Sequence, residues 1–199
     1  MSPRYFIIAF VLLAALAVVF GVFSKKPAPE IVRIDSTPSP TVQPSTAPTS
    51  KTIQAQDIKN ADPAFTFTAN IPTKWQVEAV PAIQALNVYD PIAAGTSNLE
   101  KSQIFIRFFK ANDFLTLSTV NIYAEKDLKF NNRPAVEYDI EKKEGIAAFP
   151  NQPAWRSERH FVTDIRATDT SPFVFYVIAK RPELDQRVYK DFLQSLKIN

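Results

Sequence analysis

The chain has no cysteine. Disulfides, thiolate metal sites and cysteine nucleophiles are therefore excluded, and its redox compartment stays unread. Only three glycines occur in 199 residues, at positions 21, 95 and 145. A phosphate-cradling loop, a dinucleotide GxGxxG turn and a GxSxG nucleophile elbow each need several glycines close together, so none of them fits here.

Histidine is nearly as scarce, with His160 alone. A zinc site would have to combine one imidazole with carboxylates, a poor set for that ion. No catalytic, metal or cofactor motif stands out, and the expectation is a protein that is not an enzyme and takes no cofactor. Charge of one sign is also lacking. Residues 1–50 carry four Lys/Arg against two Asp/Glu and residues 51–199 nineteen against eighteen. The basic pI of about 9.0 therefore marks no nucleic-acid surface.

What is present begins with Tyr5–Phe23, nineteen uncharged residues between Arg4 and Lys25-Lys26. As a helix it reaches about 28 Å, enough to cross the hydrocarbon core. The rival reading is a cleaved signal peptide, for which Ala15-Leu16-Ala17 offers a small-x-small site. The apolar run continues through Val18-Val19-Phe20 and would bury that cut, so the expectation is a retained signal-anchor over residues 1–24. A Lys/Arg count favours the opposite orientation. The short tail and long apolar run nevertheless look like a secretory start, and the expected topology is single-pass with the C-terminal domain outside the cytoplasm.

From Pro27 to Ser50, fourteen of twenty-four residues are Pro, Ser or Thr. Such a segment has too little apolar surface to offset chain entropy and reaches up to about 75 Å when extended; it lies within a disordered linker expected over residues 25–62.

The folded domain is expected over 63–199. Period-two alternation predicts a strand at Phe65–Thr68, and further strands at Lys74–Val80, Ile83–Tyr89, Gln103–Phe109, Ala135–Glu141, Arg156–Arg166 and Phe173–Ala179. Asn131-Asn132 marks a hairpin, because asparagine tolerates positive φ. Residues 111–121 suit a helix or a strand equally. A helix is expected from Pro182 to Lys197, with Leu184, Val188, Tyr189, Phe192, Leu193 and Leu196 on one apolar stripe. Consecutive strands with few helices predict an α+β domain, an antiparallel sheet with helices on its faces.

Several of these residues resemble the PsbP family of extracytoplasmic proteins and its bacterial relatives. The points of similarity are Phe65-x-Phe67, Ile71-Pro72-x-x-Trp75 and Arg133-Pro134-Ala135-Val136-Glu137-Tyr138. Arg159-His160, Phe175-Tyr176 and the closing Phe192-Leu193-Gln194-Ser195-Leu196-Lys197-Ile198 complete a match spanning 65–198. The resemblance implies an α-β-α sandwich around a curved antiparallel sheet, exported across an energy-transducing or bacterial membrane. Members near photosystem II assist water oxidation by helping to retain ions. This chain departs from the pattern in its apolar helix, its stalk, and Asn131-Asn132 where a glycine-containing turn is usual. The resemblance therefore carries the fold and the side of the membrane, and not the photosynthetic role.

Two clusters invite a functional reading. Glu137, Asp139 and Glu141 share one face of a strand, a pattern compatible with calcium; cross-strand pairing with Arg156, Arg159 and Arg166 would account for them without a metal. Phe149-Pro150-Asn151-Gln152-Pro153-Ala154-Trp155 combines aromatics, amides and prolines. Phe149, Asn151, Gln152 and Trp155 are the candidate contacts for an envelope protein, peptide or glycan, against the alternative that the loop is pinned to the sheet by its own aromatics.

The expected function is a membrane-tethered accessory or binding module, its domain monomeric and its membrane contact residues 5–23. The alternative is an envelope hydrolase using His160 with a carboxylate.

Overall fold

The computed structural model describes residues 50–114 and 117–199, all within a compact unit spanning Ser45–Asn199. The apolar run Tyr5–Phe23 and most of the Pro/Ser/Thr segment lie outside the described residues. Among the described residues no helix is long and apolar enough to cross a membrane.

Ten strands of the described residues form two antiparallel sheets. Strands β1 (Ser50–Gln54), β2 (Phe67–Pro72) and β10 (Lys197–Ile198) make the smaller one, in the order β1-β2-β10. The larger sheet holds β3 (Gln76–Val80), β4 (Ala85–Tyr89), β5 (Ser102–Ala111), β6 (Val120–Phe130), β7 (Arg133–Lys142), β8 (His160–Arg166) and β9 (Phe173–Lys180). Its order is β3-β4-β5-β9-β8-β7-β6. Two meanders, β3-β4-β5 and β6-β7-β8-β9, thus meet where β5 pairs with β9.

The hairpin expected at Asn131-Asn132 is there. Both asparagines take positive φ, 47° and 65°, the left-handed pair that a two-residue turn requires for its twist to match the strands. Asn131 Nδ2 also donates to the Leu196 carbonyl at 2.9 Å, tying the hairpin tip to the end of the chain. The ambiguous stretch 111–121 ends as the start of β6.

Three boundaries differ from the sequence expectation. Residues 50–54, assigned to the linker, pair with β2 over their whole length, so the folded unit starts before residue 63. Alternating Lys51, Thr52 and Ile53 is short, and its pairing partner lies elsewhere in the chain, which local pattern does not show. The expected strand Arg156–Arg166 begins only at His160, because Ala154–Ser157 form a 3₁₀ turn after Pro153. The C-terminal helix, α1, covers Gln186–Ser195; Asp185 caps it by accepting from Arg187 N at 2.6 Å. Pro182 to Leu184 instead form a turn held by Lys180, whose Nζ donates to the carbonyls of Arg181, Pro182 and Leu184.

One face of the large sheet, with Leu86, Val88, Ile104, Ile106, Ile165, Tyr176 and Ile178, packs against the small sheet and α1. The apolar stripe of α1 turns inward as expected, with Tyr189 and Phe192 almost fully buried. Tyr189 donates from its hydroxyl to the Ile178 carbonyl at 2.9 Å and lies 2.8 Å from Thr163 Oγ1, so this large side chain is buried without leaving a polar atom unpaired. Tyr176 closes the other end of this layer, donating to the Ala64 carbonyl and accepting from Thr66 N.

The opposite face carries Phe105, Val136, Tyr138, Ile140, Val162 and Val177 under Trp155, Leu99, Ile83 and Phe114. Helices were expected on both faces. Among the described residues the only α-helix lies on the first, and loops with a 3₁₀ turn cover the second.

Candidate functional site

The loop singled out from sequence joins β7 to β8 and is split between surface and core. Trp155 is only 5% exposed and packs on the second face with Phe105, Tyr138 and Val177. Its ring meets that of His160 edge-on, centroids 5.7 Å apart. Trp155 therefore anchors the loop, whereas Phe149 and Asn151 remain at the surface. Asn151 has a φ of 58°, a turn position that places the loop tip outward. Gln152 is half-buried and its Oε1 accepts from Arg156 Nε at 3.4 Å. The four residues thus do not form one surface.

His160 is 3% exposed. Nδ1 lies 2.7 Å from the Glu158 carbonyl and Nε2 lies 2.7 Å from Arg156 Nη1. A carbonyl accepts only, and a guanidinium donates only, so the proton sits on Nδ1 and Nε2 presents its lone pair to Arg156. Burial, reinforced by the Arg156 charge, pushes the imidazole pKa down to about 4. Both ring nitrogens are engaged by groups other than a carboxylate. The pairing of His160 with an acid that a hydrolase would use is not among the hydrogen bonds of the described residues.

The acidic face of β7 resolves into separate pairs. Strands β7 and β8 do pair antiparallel, with Asp139 opposite Phe161. Arg159 makes a bidentate bond to Asp139, with Nη2 to Oδ2 at 2.7 Å, and its guanidinium lies 4.2 Å above the Tyr123 ring. Tyr123 is the extra residue at a register shift in β6, and its hydroxyl donates to Glu141 at 2.5 Å. Of the three arginines expected to face these acids, Arg159 alone does so. Arg156 meets His160, and Arg166 lies 4.8 Å over the Phe173 ring. Among the described residues no group of three or more His, Cys, Asp or Glu is placed to hold a metal.

A larger feature escaped the sequence reading. Between α1 and the strands β6 to β8 runs a groove of 720 Å³. Leu128, Phe130, Phe161, Leu184 and Leu193 supply apolar surface; Lys126 on β6 lies opposite Glu137 on β7, and Lys190 comes from α1. It exists because β6 and β7 extend beyond the strip of sheet that a ten-residue helix covers. Only the packing of α1 brings Leu193 near Leu128, sixty-odd residues away, and no local pattern encodes that.

No protein-family profile matches the chain, and no curated protein does. By structure it is similar to the solution structure of cyanobacterial PsbP (CyanoP) from Synechocystis sp. PCC 6803. That likeness has a TM-score of 0.44 at 9% identity and covers 82% of this chain and 100% of that one. At that identity and TM-score the likeness adds no residue and no ligand to the site.

Proposed function

We propose that this chain is a membrane-tethered, non-catalytic binding module whose folded unit lies outside the cytoplasm. It docks an amphipathic, acidic segment of an envelope partner in the groove between α1 and β6 to β8. The observation that carries this reading is the composition of the groove: an apolar floor of Leu128, Phe130, Phe161 and Leu193 between Lys126 and Lys190. An apolar floor favours the nonpolar face of a segment, and two lysines against one glutamate select acidic residues at its margins. Lys180, though it lines the same groove, is 4% exposed and spends its donors on three carbonyls, so it shapes the wall rather than reading charge.

The tether belongs to the same proposal. An apolar run at residues 5–23 followed by a Pro/Ser/Thr stalk holds such a groove near the membrane and raises its effective concentration for partners there. An accessory role of this kind agrees with the residue resemblance to PsbP over 65–198.

The test uses the full chain in detergent and two synthetic peptides, one alternating leucine with glutamate and one alternating leucine with lysine. The acidic peptide should bind and shield Lys126 and Lys190 from amine labelling. Lys126→Glu with Lys190→Glu should abolish that binding and transfer it to the basic peptide. Equal binding of both peptides, or shielding that spares these two lysines, would overturn the groove as the docking site.

A further inference from the structure

Strand β6 closes one end of the large sheet. Its inner edge pairs with β7 from Val120 to Phe130, and among the described residues no hydrogen bond takes up the main-chain groups of its outer edge. Asn121 to Asp127 are all exposed, and only Val120, Leu128 and Phe130 are half-buried. The opposite end of the sheet is shorter, Gln76–Val80, and is stopped by Pro81. A long open edge is a template for a further strand, so the side chains along it decide what can pair there.

Along β6 the charges alternate in sign. Glu125 lies opposite Tyr138, Asp127 opposite Val136 and Lys129 opposite Pro134, so these three share the second face of the sheet with Tyr138 and Val136. Lys126, Leu128 and Phe130 belong to the first face, where they line the groove. The neighbours of Glu125, Asp127 and Lys129 across on β7 are thus uncharged, and Lys126, though opposite Glu137, is not joined to it. None of the four charged residues makes an ion pair among the described residues. An edge guarded by repulsion would carry one sign; an edge of alternating sign selects its complement.

That complement is not a second copy of the chain. In a two-fold antiparallel pair of edges the residue on the axis faces itself, so centring on Glu125, Lys126 or Asp127 sets like charges together. Centring on Leu128 engages only Lys126–Phe130 before the Asn131-Asn132 turn, and at the other end the extra residue Tyr123 breaks the register. We propose that the outer edge of Ala124–Phe130 takes an extended segment of a partner protein as an added antiparallel strand. The segment carries basic residues opposite Glu125 and Asp127, acidic ones opposite Lys126 and Lys129, and apolar ones opposite Leu128 and Phe130.

This surface goes beyond the docking groove. Main-chain hydrogen bonds to the open edge supply affinity and the charge order supplies register and choice of partner. Glu125, Asp127 and Lys129 lie outside the groove lining, so the edge can be altered without touching the groove.

The full chain in detergent is titrated with two blocked peptides of one composition. The first, Val-Glu-Val-Lys-Glu-Lys-Thr, is written to lie opposite Phe130 back to Ala124; the second, Val-Lys-Val-Glu-Lys-Glu-Thr, exchanges the signs. The first should bind about tenfold more tightly, and in its complex the amides of Ala124–Phe130 that do not bond β7 should exchange with deuterium more slowly. Of two forms of this peptide N-methylated at alternate residues, one in each phase, only the form that keeps free N–H groups towards β6 should bind. Glu125→Lys with Lys129→Glu should erase the preference, since each peptide then meets two like and two opposite charges. Should that variant not fold, the two N-methylated forms decide on the parent chain. Lys190, on α1, should stay open to amine labelling. A peptide that shields Lys190 without slowing the β6 amides sits in the groove, which overturns the edge and leaves the groove reading standing. Equal affinity for the two peptides, or for the two N-methylated forms, also overturns it. Slow exchange of the same amides that grows with protein concentration alone would give the edge to a second copy and overturn the choice of a different partner.

Discussion

His160 Nε2 accepts from Arg156 Nη1 at 2.7 Å, and burial of the ring, reinforced by the Arg156 charge, makes folding sensitive to acid. The folded imidazole resists protonation down to about pH 4, against an ordinary value of 6.5. Below 6.5 the unfolded chain takes up a proton that the folded chain refuses, so stability is full above that value and declines as pH falls towards 4. The group contributes up to ~3 kcal/mol across that window. Urea unfolding at pH 7, 5.5 and 4.5 should show a steeper decline for the parent chain than for His160→Gln. Equal slopes would mean that the imidazole is not held neutral.

Tyr189 should show a buried hydroxyl's usual cost of removal. Tyr189→Phe leaves the shape intact but strips a donor from the Ile178 carbonyl and a partner from Thr163 Oγ1, and should destabilise by about 1–2 kcal/mol. Adding Thr163→Val should cost less than the two single changes summed, because the second removes a group already unpaired. Strict additivity in a double-mutant cycle would place the two hydroxyls apart.

Where the folded unit starts is open to direct measurement. A chain of residues 50–199 should melt cooperatively. One of residues 63–199 lacks β1, leaves the outer edge of β2 unpaired, and loses Ala55 together with the partly buried Ile53 and Ile58. At 1.5–3 kcal/mol for a large apolar side chain, that deletion should lower stability by roughly 3 kcal/mol. Indistinguishable melts would show that β1 adds nothing to the fold.

The Asn131-Asn132 turn offers a change of opposite sign at each position. Asn132 has the larger positive φ, 65°, and Asn132→Gly should stabilise by about 0.5 kcal/mol. Asn131→Ala both strains a φ of 47° and deletes the bond to the Leu196 carbonyl, and should cost about 1–2 kcal/mol. Thermal melts of the two variants that move the same way would remove the argument.

The tether has a cellular test. Residues 50–199 sent out of the cytoplasm with an export signal should fold yet not replace the full chain in a deletion strain, because the groove would no longer be concentrated near its membrane partners. Full rescue at normal abundance would favour a diffusible carrier or enzyme.

The sequence by itself determined the parts that depend on near neighbours in the chain. Apolar runs located β5 and β9, Asn131-Asn132 located the hairpin that leads into β7, and the spacing of Val188, Tyr189, Phe192 and Leu193 picked out the face of α1 that packs on the core. The scarcity of glycine and cysteine ruled out several chemistries before any fold was known. Tertiary structure alone decided whatever depends on distant partners: that Ser50–Gln54 becomes a strand, that Trp155 is covered rather than displayed, and that Arg156 faces an imidazole while Arg159 meets Asp139. The groove beside α1 belongs to the same class. Each is assembled from elements far apart in the chain, and burial and hydrogen bonding, which set what a side chain does, are properties of that assembly and not of any local pattern.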